Sequence, residues 1–270
     1  MTGLSEHVVL GGTGLEVSRL GVGSSYGVST RACRAAFDAG VNYFFWGSVR
    51  TVGMGLALRE LGQTHRDELV VVLQSYVRSP KRIGRSVRRG LAALRLDHAD
   101  LLVLGWHDEA PAEDLLEAVE RLRDSGMIRF VAISSHQRAL FPSLLGDRRY
   151  DVFHVRYNAA HRGAEGEVFP YLPADRGPGI VSFTNTRWGD LLQEKHMPEG
   201  HAAPTAADCY RFSLSHPAVH VAICGPKNDE EMRTALDALR QGPMHEEDLA
   251  RMRVIGDHVH GVRSMMSALS

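Results

Sequence analysis

Cysteine is scarce in this 270-residue sequence, which contains only Cys33, Cys209 and Cys224. An odd number of cysteines without CxxC spacing argues against a disulfide framework, a zinc ribbon or an iron–sulfur cluster. We therefore expect each cysteine to be a small buried side chain. The other candidate group, His107–Glu109, consists of adjacent residues, which rarely face one ion together, so the sequence predicts no metal site.

An excess of charge of one sign is also missing. The formal net charge is −1, so the sequence predicts neither a nucleic-acid partner nor a membrane-surface partner. No apolar run approaches the roughly 18 residues that a membrane span needs, and the first residues lack a basic segment followed by an apolar one. We therefore expect a cytoplasmic protein whose partner is a small-molecule substrate. The sequence does not predict its oligomeric state.

What is present is a globular composition, with 44% hydrophobic and 23% charged residues. The length is ordinary for one barrel of eight strands and eight helices, and no linker or repeat divides the chain. We therefore predict a single domain over residues 1–270.

Eight short apolar runs alternate with amphipathic helical patterns. Because these runs are rich in Val, Ile, Leu and Phe, they are typical of parallel strands that are buried on both faces. Eight such strands favour a closed barrel, and an open doubly wound sheet is the alternative. The predicted strands are Leu20–Ser24, Tyr43–Phe45, Leu69–Gln74, Leu101–Gly105, Phe130–Ser134, Val152–Arg156, Ile180–Phe183 and Val219–Cys224.

Two helices can be predicted in detail from their apolar spacing of i, i+3, i+4 and i+7. We expect the first to end near Gly126, where a positive φ is wanted, and the second to be capped by Asn228 or Asp229. The two apolar stripes are Leu115, Ala118, Val119 and Leu122, and then Met232, Ala235, Leu236 and Leu239.

Several segments, in order along nearly the whole chain, resemble the aldo/keto reductase family. Leu10–Gly23 resembles the family's opening hairpin and first barrel strand, so its GGTG is not a phosphate loop. The other matching segments are Ser86–Leu101, Ser125–Ser135, Tyr157–Asn158 and Ile223–Gly225. The resemblance implies a (β/α)8 TIM barrel with an N-terminal β-hairpin.

Members of that family reduce carbonyls with a nicotinamide cofactor, using a tetrad of aspartate, tyrosine, lysine and histidine. Hydride reaches the carbon while a proton or positive dipole meets the oxygen. The resemblance places Phe45 at the aspartate position, Arg50 at the tyrosine, Tyr76 at the lysine and Gly105 at the histidine. His107 follows two residues later. We therefore expect a divergent member without the usual tetrad.

The resemblance implies a cofactor site in which some positions keep the family's residue types and others do not. We expect Ser134 and Ser135 at the carboxamide, His154 in place of a glutamine, and Phe183 stacked on the nicotinamide. A carboxylate, Glu231, stands where the family usually has Arg or Gln, and Thr234–Ala235 replaces the pair that holds adenine. NADP(H) binding is thus left open. The candidate cofactor residues are Ser134, Ser135, His154, Phe183, Thr184, Gly225, Lys227 and Asn228.

Polar and aromatic residues nevertheless follow most of the predicted strands. Tyr76 could serve as a proton donor with Arg50 as its activating cation, although an Arg stacked on a Tyr for structural reasons fits the sequence too. The residues His107–Glu109 could supply a base or metal ligands, or could form a solvated loop that opens the next helix. Residues 156–165 favour a binding role, and His136 could pair with His154 or His161. The candidate catalytic residues are Tyr76, Arg50, His107, His154, Arg156 and His161.

Three functional hypotheses follow. The first is an aldo/keto-reductase-like oxidoreductase with a rebuilt active site, acting on a small polar carbonyl or imine-like substrate with NADP(H). The second is an acid–base enzyme on the same barrel, a lyase, isomerase or cyclase that uses no cofactor. The third is a ligand-binding or regulatory protein without catalysis.

Overall fold

A computed structural model describes residues 3–47 and 51–268, with side chains described up to residue 262. Eight parallel strands close into one barrel, in which each strand pairs with the strands that precede and follow it in the chain and the last pairs with the first. This confirms the predicted (β/α)8 barrel and excludes the open sheet. The strands are β3 (Leu20–Gly23), β4 (Tyr43–Trp46), β5 (Val70–Ser75), β6 (Ala99–Leu104), β7 (Ile128–Ser135), β8 (Val152–Arg156), β9 (Gly179–Phe183) and β10 (Val221–Cys224).

Helices surround the barrel and connect its strands. The long helices are α1 (Thr30–Asp38), α2 (Val52–Thr64), α3 (Pro80–Leu94), α4 (Glu113–Asp124), α7 (Ala206–Ser215), α8 (Asp229–Gln241) and α9 (Glu246–Ala268), and the short ones are α5 (Leu140–Ser143) and α6 (Ala164–Glu167). No helix in the described part of the chain is long and apolar enough to cross a membrane.

The predicted hairpin forms and closes the bottom of the barrel. Its strands β1 (Val8–Val9) and β2 (Glu16–Val17) pair antiparallel. Leu10 and Val17 are fully buried and belong to the same apolar cluster as the inward-facing side chains of the barrel strands. The cluster fills this end of the barrel with apolar side chains, whereas the opposite end carries the carboxyl ends of the strands.

A second, larger apolar core lies between the strands and the helices. It contains Cys33, Cys209 and Cys224, which are buried free thiols as the sequence predicted. Successive side chains of a strand point to opposite faces of the sheet. A strand residue that lies next in sequence to a member of this outer core therefore points into the barrel. This alternation decides which side chains reach the barrel mouth.

The detailed helix predictions are confirmed. The first apolar stripe is buried on α4, and Gly126 has a φ of 76°. The second is buried on α8, where the Asn228 side chain accepts a hydrogen bond from the Glu231 amide.

Candidate active site at the barrel mouth

The carboxyl ends of the eight strands surround one opening, the barrel mouth, which is where barrels of this type carry their sites. Inward-facing side chains near this end include Phe45, Gln74, Ser134, Arg156 and Phe183. Polar and aromatic groups thus line an opening whose floor is apolar. Such a combination suits a small molecule that is oriented by a few polar contacts.

Ser134 fixes the loop that follows β6. Its hydroxyl accepts a hydrogen bond from the Trp106 amide at 2.9 Å, and its carbonyl accepts one from the His107 amide at 2.9 Å. Trp106 has a φ of 42°, and the Arg78 guanidinium donates to its carbonyl. A left-handed tryptophan persists only where its surroundings hold it. The loop is therefore held from two sides with its indole at the mouth.

His107 lies beside the mouth rather than in it. The side chain is buried, and burial together with the nearby Arg78 lowers its pKa to about 4. It lines an open cavity of about 340 Å³ that also includes Asp108 and Glu109. The imidazole is therefore neutral at neutral pH, as a general base requires.

Tyr76 extends over the mouth from the end of β5. The side chain is 61% exposed, and its Cε1 lies 2.8 Å from the point where a Cβ on Gly105 would stand. The Gln74 amide lies 3.0 Å from the same point. The space beside residue 105 is therefore filled by the ring and the amide.

His154 lies inside the barrel, below the mouth. Its Nε2 is 2.9 Å from the hydroxyl of Tyr43, and the Phe45 ring centroid lies 5.6 Å from its own. Burial lowers the pKa of His154 to about 3, so the ring is neutral. The pair places a polar contact in an otherwise apolar interior.

Arg156 ends β8 and faces the mouth, because its neighbour Val155 packs in the outer core. It pairs in register with Phe183 of β9. Its Nε is buried and has no hydrogen-bond partner. Burial, together with the positive charges of Arg138 and Arg187, lowers the pKa of this guanidinium.

His161 lies close to this arginine group. Its Nε2 is 3.1 Å from a guanidinium nitrogen of Arg187. Burial is the largest cause that lowers its pKa to about 3, and Arg156 and Arg187 add to the effect. The hypothesis that His136 pairs with His154 or His161 finds no support, since His136 instead contacts Trp106 and Phe183 at centroid distances of 5.0 and 5.6 Å.

The remaining polar residues of the loop after β8 stabilise the loop itself. Tyr157 is buried and donates to Glu165 at 2.7 Å, and Arg253 of α9 bonds the same carboxylate. The side-chain Oδ1 of Asn158 accepts hydrogen bonds from the backbone amides of Ala160 and His161. This loop therefore holds His161 in place beside Arg156.

Only some of the predicted cofactor residues lie at the barrel mouth. Ser134, Phe183 and Thr184 lie at the mouth, and Thr184 has a φ of 60°. Ser135 is buried and faces the helices, as does Val155, the residue that pairs with it on the neighbouring strand β8. Its hydroxyl accepts a hydrogen bond from the Gln137 backbone amide at 2.8 Å. The structure therefore does not bring its hydroxyl to the mouth.

The start of α8 is occupied by its own side chains. Asn228 accepts the Glu231 amide at 2.9 Å, and the Glu231 carboxylate accepts the Lys227 amide at 2.8 Å. The Tyr26 ring lies against Gly225, 2.6 Å from the point where a Cβ would stand. The backbone amides of Lys227 and Glu231 are therefore already bonded to side chains and are not available to bind a phosphate.

Arg50 lies outside the described residues. One neighbour of the site is not predicted by the sequence, namely Tyr43 beneath His154. No local signal indicates it, because Tyr43 and His154 are 111 residues apart. Arg187, which the sequence places in the loop after β9, lies beside His161 with a left-handed backbone that is rare for arginine.

A barrel plugged by a hairpin, with tyrosine, histidine and arginine at the mouth, defines an enzyme-like (β/α)8 scaffold. Residues 9–204 match the sequence model of the aldo/keto reductase family. This match covers more than half of the chain, which therefore belongs to the aldo/keto reductase family.

Individual relatives agree with this assignment. L-galactose dehydrogenase from Arabidopsis thaliana is 26% identical over 237 residues, covering 77% of this chain and 73% of its own. Glyoxal reductase from Bacillus subtilis is 25% identical over 190 residues, covering 67% and 65%.

Solved structures share the fold at low sequence identity. An aldo-keto reductase from Bacillus halodurans, in its holo form, superposes with a TM-score of 0.77 at 19% identity, over 93% of this chain and 96% of its own. A Klebsiella pneumoniae aldo/keto reductase in complex with NADP and acetate gives 0.75 at 20% identity, over 93% and 96%.

Proposed function

We propose that this protein is an oxidoreductase that transfers hydride between a nicotinamide cofactor and a small polar carbonyl or imine-like substrate, using a rebuilt set of residues at the barrel mouth. The observation that carries the proposal is the convergence of Tyr76, Trp106, Arg156 and Phe183 on one opening of an aldo/keto reductase barrel. A barrel kept only for its shape has no need of exposed aromatic and cationic groups there.

The mouth fits the nicotinamide end of such a cofactor. Phe183 offers a half-buried ring, and the Ser134 hydroxyl, which accepts from Trp106, still has its own proton to donate. The NADP complex of the Klebsiella relative supports a cofactor of this class. When bound, the nicotinamide would supply or accept the hydride.

The adenosine end fits less well. The start of α8 carries Asp229, Glu230 and Glu231, and its amides are bonded by Asn228 and Glu231. Carboxylates repel a phosphate at short range. We therefore propose that the protein binds NADH with an affinity comparable to its affinity for NADPH.

Tyr76 is the proton donor in this proposal. Phe45, at the position of the family aspartate, cannot form an ion pair, and Gly105, at the histidine position, has no side chain. His154 is buried and bonded to Tyr43, whereas the Tyr76 side chain is exposed at the mouth. A phenol there can give its proton to a substrate oxygen as hydride arrives at the carbon.

Titration of the purified protein with NADPH and NADH, followed by quenching of tryptophan fluorescence, tests the cofactor. Saturation in the micromolar range, about −8 kcal/mol, supports the proposal. No binding at millimolar cofactor overturns it in favour of an acid–base enzyme without cofactor or a ligand-binding protein. Mutants then test the acid: Tyr76→Phe should lower kcat/KM about 100- to 10,000-fold with cofactor affinity unchanged, while exposed Tyr171→Phe should leave both unchanged.

A further inference from the structure

Arg156 is a half-buried cation without a counter-ion. Among residues 3–47 and 51–268, no carboxylate forms an ion pair with its guanidinium, and its Nε is buried without a partner. It faces the barrel mouth from the end of β8, level with Phe183. A buried or half-buried charge is costly unless it is paired.

Arg156 differs from the two nearby arginines because each of those has a carboxylate partner. Arg138 forms an ion pair with Glu167 at 2.8 Å, and Arg187 lies 3.6 Å from Asp190 and 3.1 Å from His161. The positive charge of Arg156 is therefore the one in this group that no carboxylate of the described residues balances. Its effect is visible in the neighbouring histidines, since Arg156 contributes, after burial, to the lowered pKa of both His136 and His161.

The unpaired guanidinium and the neutral ring of His136 are the hydrogen-bond donors available to an oxyanion, because the Nε2 of His161 accepts from Arg187. A neutral ring donates one hydrogen bond, and a guanidinium donates two in parallel to a carboxylate or phosphate. His136 and His161 lie on two different loops, one after β7 and one after β8, and the charge of Arg156 acts on both rings. His136 therefore adds a donor beside the guanidinium, whereas His161 bounds the site as an acceptor held by Arg187.

Aromatic side chains bound the same opening. Trp106 contacts His136, and Trp188 approaches His161 with a centroid distance of 6.5 Å. They are 55% and 59% exposed, and both have positive φ values, of 42° and 55°. Exposed indoles on left-handed backbone are typical of a site that binds a ligand.

We propose that the substrate of this barrel carries an oxyanion, a carboxylate or a phosphate, which docks on Arg156 between His136 and His161. The substrate class is then an anionic carbonyl compound, either an oxo acid or a phosphorylated carbonyl. The carbonyl part rests on the proposed function, whereas the docking of the oxyanion does not.

Binding is tested without cofactor and without turnover. Sodium pyruvate and inorganic phosphate are the anionic probes, hydroxyacetone is the neutral probe, and sodium chloride keeps the ionic strength constant. Calorimetric titration and the change in Tm are measured for wild type, Arg156→Gln and Arg156→Lys. Arg162→Gln is the matched control, because Arg162 lies on the same loop but is already paired with Asp257 at 2.7 Å.

Wild type should bind at least one anionic probe and bind hydroxyacetone far more weakly. Arg156→Gln should weaken anion binding roughly ten- to hundredfold, Arg156→Lys should restore part of it, and Arg162→Gln should leave it unchanged. The Tm of Arg156→Gln without ligand should not fall below that of wild type, because the substitution removes an unpaired charge. A purely structural arginine would give a lower Tm.

Binding of pyruvate alone assigns an oxo acid, binding of phosphate alone assigns a phosphorylated carbonyl, and binding of both supports the shared oxyanion chemistry. Failure of both anions to bind wild type, or equal binding by Arg156→Gln, overturns the inference. Because nicotinamide is absent from these titrations, the two proposals fail separately: anion binding without cofactor binding rejects only the oxidoreductase, and the reverse rejects only the oxyanion site.

Discussion

The ring of Tyr76 and the missing side chain of Gly105 occupy complementary space, since Cε1 of the ring lies 2.8 Å from the point where a Cβ on residue 105 would stand. Gly105→Ala should therefore displace the ring and cost about 1 kcal/mol, a modest value because the ring is exposed and can swing away. Most of the cost should disappear in Tyr76→Ala/Gly105→Ala, and the part that remains is the contact of the new Cβ with the Gln74 amide, which lies 3.0 Å from the same point.

A double-mutant cycle by urea denaturation measures this coupling. We expect about 0.5–1.5 kcal/mol between the two positions. Gly146→Ala, where the added Cβ meets no atom within 4 Å, serves as the control and should show no coupling to Tyr76. Strict additivity at positions 76 and 105 would show that the two residues do not share this space in solution.

The barrel itself could be predicted because its eight strands are buried on both faces and so read as separate apolar runs. The arrangement of the site could be predicted less well. The predicted strand ended at Ser134, but β7 continues to Ser135. Alternation then turns two adjacent serines to opposite faces, so only Ser134 faces the mouth.

Other features depend on contacts that no local pattern encodes. The bond between Tyr43 and His154 joins residues 111 positions apart. The left-handed conformations of Thr184, Arg187 and Trp188 occur in residue types that rarely adopt them, so nothing in the sequence indicates them. The tertiary contacts that hold these residues exist only after the barrel has closed.

His154 should make the protein sensitive to acid. Burial sets its folded-state pKa at about 3, below the value of roughly 6.5 expected for the unfolded chain. Below that unfolded-state value the unfolded state takes up the proton more readily, so stability falls as the pH falls towards 3. The slope is about 1.4 kcal/mol per pH unit for one histidine.

His154→Gln should remove this share of the acid sensitivity, about 2–3 kcal/mol between neutral pH and pH 4.5. Urea denaturation across this range measures it, and His258→Gln, at an exposed position of α9, is the control. His107 and His161 act in the same direction, so a residual slope should remain. A slope identical to that of wild type would contradict a buried neutral His154.

Glu231 should set the cofactor preference. Its carboxylate is exposed at the start of α8, where it accepts the Lys227 amide. Glu231→Arg replaces a repulsive charge with an attractive one, so NADPH affinity should rise about tenfold relative to NADH. The Asn228 cap remains, and the helix should therefore lose at most about 1 kcal/mol.

Fluorescence titrations with both cofactors measure this ratio. Glu230→Arg makes the same charge change on the same turn of α8. Because Glu230 does not bond the Lys227 amide, this variant should shift the ratio of NADPH to NADH affinity less. Equal shifts for the two variants would point to a general electrostatic effect rather than a contact at residue 231. An unchanged ratio in Glu231→Arg would place the adenosine phosphates elsewhere.

Asp100 should matter for stability and not for binding. It lies near the start of β6, at the end of the barrel away from the mouth, and only 1% of its surface is exposed. Its carboxylate accepts hydrogen bonds from Arg66 at 2.9 Å, Arg129 at 2.9 Å and the Val71 amide at 2.8 Å. Asp100→Ala would leave two guanidinium groups and an amide without their acceptor.

We expect this substitution to lower the free energy of unfolding by about 2–4 kcal/mol, somewhat below the range for fully buried pairs because Arg129 is half exposed. Asp237→Ala removes an exposed partner of Arg240 and should cost less than about 1 kcal/mol. Cofactor and anion titrations of folded Asp100→Ala should match wild type. A weakened affinity there would mean that the strand ends at the bottom control the geometry of the mouth, because no side chain of the Asp100 group reaches it.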